Sequence, residues 1–200
     1  TPDEFRSRIT RIQERMAADG LDAIAVYGDE YRKENLRYVS NFWPFFERGM
    51  CFIPRAGEPI LAGAPEGERY AREMCVWRDV RNVREFACVS VPDASEYPLA
   101  TFSSLKAIIA ETLRGRRVLG LAGKWDIPAP IHERLVTAAA GAEIRDAGPL
   151  LADLRIIKTD AEIACLREAG RQACLGYEAL MAACVPGATE RAAAGAGEGA

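Results

Sequence analysis

The chain opens with apolar residues at a helical interval. Phe5, Ile9, Ile12 and Met16 share one face, and Gly20 follows them. That spacing predicts an amphipathic helix with one face in a core. Ahead of it, Thr1-Pro2-Asp3-Glu4 has the form of a capping box: the Thr1 hydroxyl caps, Pro2 takes the first helical position, and Glu4 reaches back. The pattern then shortens. Residues 22–28 are an apolar run between turn residues, a length that fits a buried strand. Residues 50–54 and 58–63 are two more strand-like runs, and Arg55-Ala56-Gly57 between them predicts a hairpin. Residues 66–74 read as one short helix and 76–83 as a further strand.

From 98 to 114 the helical period returns, with Leu99, Phe102, Leu105, Ile109 and Leu113 inward and Gly115 as its stop. A strand over 117–122, a helix over 131–140 closed by Gly141, and a strand over 142–147 follow. Helices alternating with strands, plus one hairpin, predict an α/β fold: a mixed β-sheet flanked by helices. The character then changes. Residues 153–158 lead into a second capping box, Thr159-Asp160-Ala161-Glu162, and a long helical stripe of Ile163, Leu166, Ala169, Ala173, Tyr177, Leu180, Met181 and Cys184. Pro186-Gly187 ends it, and 188–200 is Ala/Gly-rich with no visible partner for its faces. The expected organisation is a complete α/β domain over 1–155, then over 156–200 the opening helix of another domain that this chain does not finish.

Composition narrows the function classes. At 200 residues, 49% hydrophobic and 28% charged, the chain is long enough for one well-buried domain and too apolar to be disordered. It has no apolar run of membrane-spanning length and no charged leader ahead of an apolar core, so a cytoplasmic protein is expected, although a start at Thr1 implies a trimmed N-terminus. A net charge of −3 without a basic stripe argues against nucleic acid as a partner, and no membrane partner is expected. The six cysteines, 51, 75, 88, 165, 174 and 184, have no ligand spacing and are expected as reduced thiols. The single histidine, His132, rules out any site that needs two imidazoles from one copy, and it is expected to be structural. The acidic pairs Asp29-Glu30 and Glu66/Glu68 read as solvated loop charges. Gly115, Gly120 and Gly123 match no dinucleotide fingerprint, and neither a P-loop nor an internal repeat occurs.

The most unusual stretch is Asn35-Leu36-Arg37-Tyr38-Val39-Ser40-Asn41-Phe42-Trp43-Pro44-Phe45-Phe46-Glu47-Arg48-Gly49. Four aromatics around Pro44 cannot all face one core from a regular element. Two readings stand open: an aromatic pocket wall or partner interface beside Arg48, and a hydrophobic corner packed under a helix.

Several segments together resemble the creatinase/prolidase/aminopeptidase P superfamily, the "pita-bread" hydrolases. The opening Arg8-Ile9…Met16-Ala17…Gly20-Leu21-Asp22-Ala23-Ile24 is similar to the family's first helix and strand. Asn35-Leu36-Arg37-Tyr38-Val39-Ser40-Asn41-Phe42 is similar to its Asn-hydrophobic-x-Tyr-Leu-(Thr/Ser)-Gly-(Phe/Trp) element, with Asn41 in place of the usual Gly. Leu154-Arg155-x-x-Lys158-Thr159-x-x-Glu162-Ile163 resembles the junction into the catalytic domain, and Pro186-Gly187-x-Thr189-Glu190 the step after its first helix.

The resemblance implies a ribonuclease H-like N-terminal domain with helices on both sheet faces, followed by the first helix of a truncated α+β catalytic domain. The family's metal ligands lie beyond this chain. It therefore implies no catalytic residue, no metal and no activity in this chain alone, and two divalent ions (Mn, Co or Zn) in the full-length parent. It implies a homodimer and a small-molecule or short-peptide substrate, with an Xaa-Pro dipeptidase or aminopeptidase foremost. By position Phe46 and Arg48 match an aromatic–arginine pair that the family presents to the neighbouring subunit's substrate, with Phe42 and Trp43 as wall candidates. Two alternatives within the resemblance are a metal-free creatinase-like C–N hydrolase or lyase, and a catalytically inactive protein-binding relative.

Overall fold

The apolar stripe at the start becomes helix α1 (Pro2–Ala18), which buries Ile9, Ile12 and Met16. Thr1 stands at its N-cap, but its side chain makes no capping bond. The first capping box therefore does not form; Glu4 pairs with Arg8 at 3.4 Å instead. The computed structural model describes residues 1–87 and 101–200, and the chain divides into two units, Thr1–Leu154 and Arg155–Ala200.

In the first unit, six strands among the described residues form one sheet: β1 (Ala23–Asp29), β2 (Arg48–Pro54), β3 (Ile60–Gly63), β4 (Val80–Asn82), β5 (Val118–Ala122) and β6 (Glu143–Asp146). Their order is β4-β3-β2-β1-β5-β6. β2 runs antiparallel to both β1 and β3, and the other neighbours are parallel, so the sheet is mixed as expected. Side chains alternate along the central strand. Ile24 and Val26 join Ile12, Met16, Leu36, Trp77 and Leu151 on one face. Ala23, Ala25 and Tyr27 join Phe52, Ile108, Leu121 and Leu135 on the other. Both faces being covered explains why β1 reads as a continuous apolar run. The helices α2 (Glu34–Ser40), α3 (Glu68–Met74), α4 (Leu105–Leu113), α5 (Ala129–Ala138) and α6 (Gly148–Ile156) complete the layers.

The differences from the sequence reading have local causes. The strand expected over 76–83 pairs only at β4, because Val76 N–H donates to Ser40 O at 3.1 Å and the Trp77 indole donates to Val39 O at 2.8 Å. Those bonds dock 76–77 on the end of α2, off the sheet. The helix expected from 98 begins at Leu105, where the Ser104 hydroxyl accepts from Ala107 N–H at 3.2 Å. Phe102 lies in a single bridge with Asn82, outside the helix. Leu99 and Cys88 lie outside the described residues. Among the described residues no helix is long and apolar enough to cross a membrane.

The second unit consists of α7 (Asp160–Ala183) and α8 (Glu190–Glu198). The second capping box forms in full: Glu162 N–H donates to Thr159 Oγ1 at 3.2 Å, and Thr159 N–H to Glu162 Oε2 at 2.8 Å. The Ala/Gly-rich end, expected to lack a partner, packs as α8 against α7. The two backbones meet at glycines, where a Cβ on Gly176 would lie 2.9 Å from Gly197 O. No residue of α7 is buried, and Leu166, Leu175, Tyr177 and Met181 are exposed.

Candidate functional site

Strand direction gathers three loops at one end of the sheet. β1 ends at Asp29, whose register partner is Arg48 at the start of antiparallel β2. β5 runs parallel to β1, so the turn after it emerges at the same end. The loops over 30–33, 41–47 and 123–128 are thereby neighbours, and Arg32 ties the first to the last through Asp126 at 3.2 Å.

The aromatic loop leaves α2 through Asn41, which takes the left-handed conformation at φ 64°. Its amide Nδ2 donates to Met74 O at 3.0 Å. Asn thus fills the position where the resemblance leads one to expect Gly, because it tolerates this region best after Gly. Phe42 is turned inward and only 1% exposed, which corrects its reading as a substrate-facing wall residue. Gly49 makes room for it: a Cβ there would stand 3.1 Å from the Phe42 ring. Trp43 is half-buried, with the Arg37 guanidinium 4.1 Å and the Lys33 ammonium 5.4 Å from its ring centroid. Such stacking holds the indole at a fixed angle. It also bonds the Tyr70 hydroxyl, whose pKa burial pushes up. Phe45 packs at 5.0 Å on Tyr70, yet Phe45 and Phe46 are 61% and 55% exposed. The stretch is therefore divided: Phe42 packs in a hydrophobic corner, while Phe45 and Phe46 stay at the surface.

Arg48 stands half-buried beside the Tyr27 hydroxyl, which donates to Asp29 Oδ2 at 3.1 Å. The other Asp29 oxygen accepts Tyr31 N–H at 2.9 Å and Arg32 N–H at 2.8 Å. Burial first, then the neighbouring Asp29, pushes the Tyr27 phenol well up, against the opposing charge of Arg48. Tyr27 is therefore a neutral donor at any ordinary pH. Glu47 is almost fully buried, and Phe46 N–H donates to its Oε2 at 3.1 Å. Gly67 makes space for that carboxylate, since a Cβ there would overlap it.

Two exposed aromatics were missed in the sequence: Tyr31 and Trp125, 79% and 89% exposed. Both lie in turns just beyond apolar strand runs, and only the parallel pairing of β1 with β5 brings them to one end. Exposed rings and guanidiniums thus share one end of the sheet, and groups of these two kinds suit a flat apolar group next to a carboxylate.

Reactive groups do not gather there. Among the described residues no three His, Cys, Asp or Glu side chains come together in a metal-binding group. The divalent ions implied by the resemblance thus find no ligand set among the described residues. His132 lies half-buried in the first turn of α5. Cys51 is fully buried and burial pushes its thiol well up; burial likewise pushes Cys75 up to about 11. Neutral thiols of this kind are poor nucleophiles. Cys165, Cys174 and Cys184 are free and exposed.

A mixed sheet covered by helices, with exposed aromatic and cationic loops at one end, defines an α/β module. The profile of the Creatinase/Prolidase N-terminal domain matches residues 8–157, and the chain belongs to that family. Its structure is similar to the prolidase from Pyrococcus horikoshii OT3, with 22% identity and a TM-score of 0.67 over 96% of this chain and 47% of that one. It is similar also to the Xaa-Pro dipeptidase from Bacillus anthracis, with 20% identity and a TM-score of 0.66 over 97% of this chain and 48% of that one. The N-terminal domain of the cytoplasmic peptidase PepQ from Mycobacterium tuberculosis H37Rv aligns at 18% identity and a TM-score of 0.55, over 74% of this chain and 98% of that one. No curated protein matches the sequence. The chain spans about half the length of the first two structures.

Proposed function

We propose that this chain is the dimerisation and substrate-positioning part of a metal-dependent hydrolase acting on Xaa-Pro peptides. It presents Phe46 and Arg48 to the active site of a neighbouring subunit. The observation that carries this reading is the placement of Arg48: it is the register partner of Asp29, its side chain bonds the buried Tyr27 hydroxyl, and exposed Phe46 stands two residues before it. A half-buried guanidinium steadied by a neighbouring phenol suits a substrate carboxylate approaching in a fixed direction. Phe46 supplies an adjoining apolar plate, and Trp43, braced by Arg37 and Tyr70, backs the loop. The names of the similar structures support the choice of Xaa-Pro peptides.

The test is Arg48→Ala in the complete gene product, with Xaa-Pro dipeptide turnover as the readout. Loss of a charge-assisted contact worth about 1.5–3 kcal/mol lowers kcat/KM by roughly tenfold or more. The chain over 1–200 alone is expected to show no turnover and no stoichiometric metal. Unchanged kinetics in the variant, or turnover by the short chain, overturns the reading.

A further inference from the structure

The opposite end of the sheet carries a second concentration of charge. Residues Asp22, Pro54, Arg55, Thr112, Arg114 and Arg116 line a cavity of about 250 Å³ between the starts of β1 and β5 and the hairpin turn after β2. Three arginines and one aspartate line it, and that carboxylate is already committed to the backbone. Asp22 Oδ2 accepts Val118 N–H at 3.1 Å and Arg117 N–H at 3.2 Å. Arg116 and Arg55 approach its other oxygen only at 3.5 and 3.6 Å. Those separations exceed the roughly 2.7–2.9 Å of a tight charge-assisted bond, so both guanidiniums keep donors for another acceptor. Arg114 reaches over the hairpin turn, where a Cβ on Gly57 would lie 3.2 Å from its Nη2. Its nearest acid in sequence, Glu111, already has both oxygens bonded by Arg81 at 2.7 and 3.0 Å.

The cavity is also held in shape. Gln13 Nε2 donates to Pro54 O at 3.0 Å and to Gly57 O at 2.9 Å, pinning the hairpin turn from α1. Arg55 N–H donates to Asp22 O at 3.1 Å. Arg114 occupies the left-handed region at φ 49°, a conformation that costs a non-glycine residue about 1–2 kcal/mol and that aims its side chain over the turn. Past Leu113 and Arg116 the cavity adjoins a hollow of about 410 Å³ with an apolar floor from Ile109, Ala110 and Ala139.

We propose that this end of the sheet binds a phosphate group, Arg55, Arg114 and Arg116 receiving the dianion while the adjoining hollow takes any organic part it is attached to. Two unbalanced positive charges match the −1.5 to −2 charge of a phosphate at neutral pH, and its oxygens suit the guanidinium fork. The site lies at the opposite end from Arg48 and does not depend on the proposed peptidase role.

Calorimetric titration of the chain with inorganic phosphate, and separately with phenyl phosphate, tests it at ionic strength held constant with sodium chloride. One saturable site with a Kd of about 1 mM or tighter is expected. Arg55→Gln and Arg116→Gln are each expected to weaken it by about tenfold, with circular dichroism unchanged because the two side chains are 38% and 54% exposed. Arg134→Gln, an exposed arginine on α5, leaves it unaltered. Phenyl phosphate binding more tightly than the free ion identifies an esterified phosphate as the occupant, and equal affinity identifies the ion itself. Absence of saturable binding by both probes, or equal weakening in Arg134→Gln, overturns the proposal.

Discussion

Asn41 shows how much one backbone angle decides at the aromatic loop. Its positive φ swings the chain from α2 so that Phe42 drops into the core while Phe45 and Phe46 stay out. Asn41→Ala keeps that strained conformation without the side-chain bond to Met74 and is expected to lose about 1–2 kcal/mol in urea unfolding. Asn41→Gly relieves the strain while losing the bond, so it should fall near the parent. Asp22 governs the acid response at the other end. Burial opposes its charge, but the Val118 and Arg117 amides and the Arg116 guanidinium outweigh it and hold the carboxyl below the usual range. A depressed folded pKa stabilises above the unfolded value of about 3.9, and that contribution fades as pH falls through the folded pKa. Asp22→Asn is therefore expected to be less stable at neutral pH and to lose less on acidification, so that unfolding curves converge at low pH. Parallel curves would remove Asp22 from that role. Residue identity made Arg48 and the aromatic run stand out in the sequence. It did not reveal which aromatic is buried, because that choice depends on the turn at Asn41 and on the space left by Gly49.

Elements with their own local signals were legible, and those held by tertiary contacts were not. The hairpin announces itself through Gly57, which adopts φ 105° in the turn between β2 and β3. α7 announces itself through Thr159 and Glu162. By contrast α2 has seven residues, an N-cap without a side-chain bond and an Asn at its end, so nothing in its spacing separates it from a loop. α6 begins at Gly148-Pro149 and merged with the lead-in to α7. The Thr1 box failed although its pattern matched, since Glu4 has a nearer charged partner in Arg8. The box at Thr159 supports a sharper expectation. Thr159→Ala removes the acceptor for Glu162 N–H and should cost about 1 kcal/mol, seen as faster amide exchange through the first turn of α7, with Thr159→Ser restoring protection. Unchanged exchange at Glu162 would show that the cap contributes nothing there.

At the scale of the molecule, periodicity gives a sheet covered on both faces, but strand order lies outside its reach. Nothing local says that β5 joins β1 in parallel across more than ninety residues, yet that pairing brings Trp125 and Tyr31 to the same end as Phe45 and Phe46. Among the described residues of the first unit, the large aromatics that are more than half exposed all lie at this end. Water is a poor neighbour for such a cluster, at roughly 25 cal/mol for each Å² of apolar surface. Arg48 starts β2 at this same end, so under the proposed role one surface would both meet another subunit and carry the substrate contacts. Self-association should therefore depend on the same end of the sheet. Sedimentation equilibrium of the complete gene product is expected to give a dimer, and Phe45→Ser with Trp125→Ser to shift it toward monomer. Both side chains are largely solvent-exposed in the single chain, so the paired substitution should leave the melting temperature of the monomer near that of the parent. A dimer untouched by both changes would place the contact elsewhere and would separate Arg48 from any neighbouring active site.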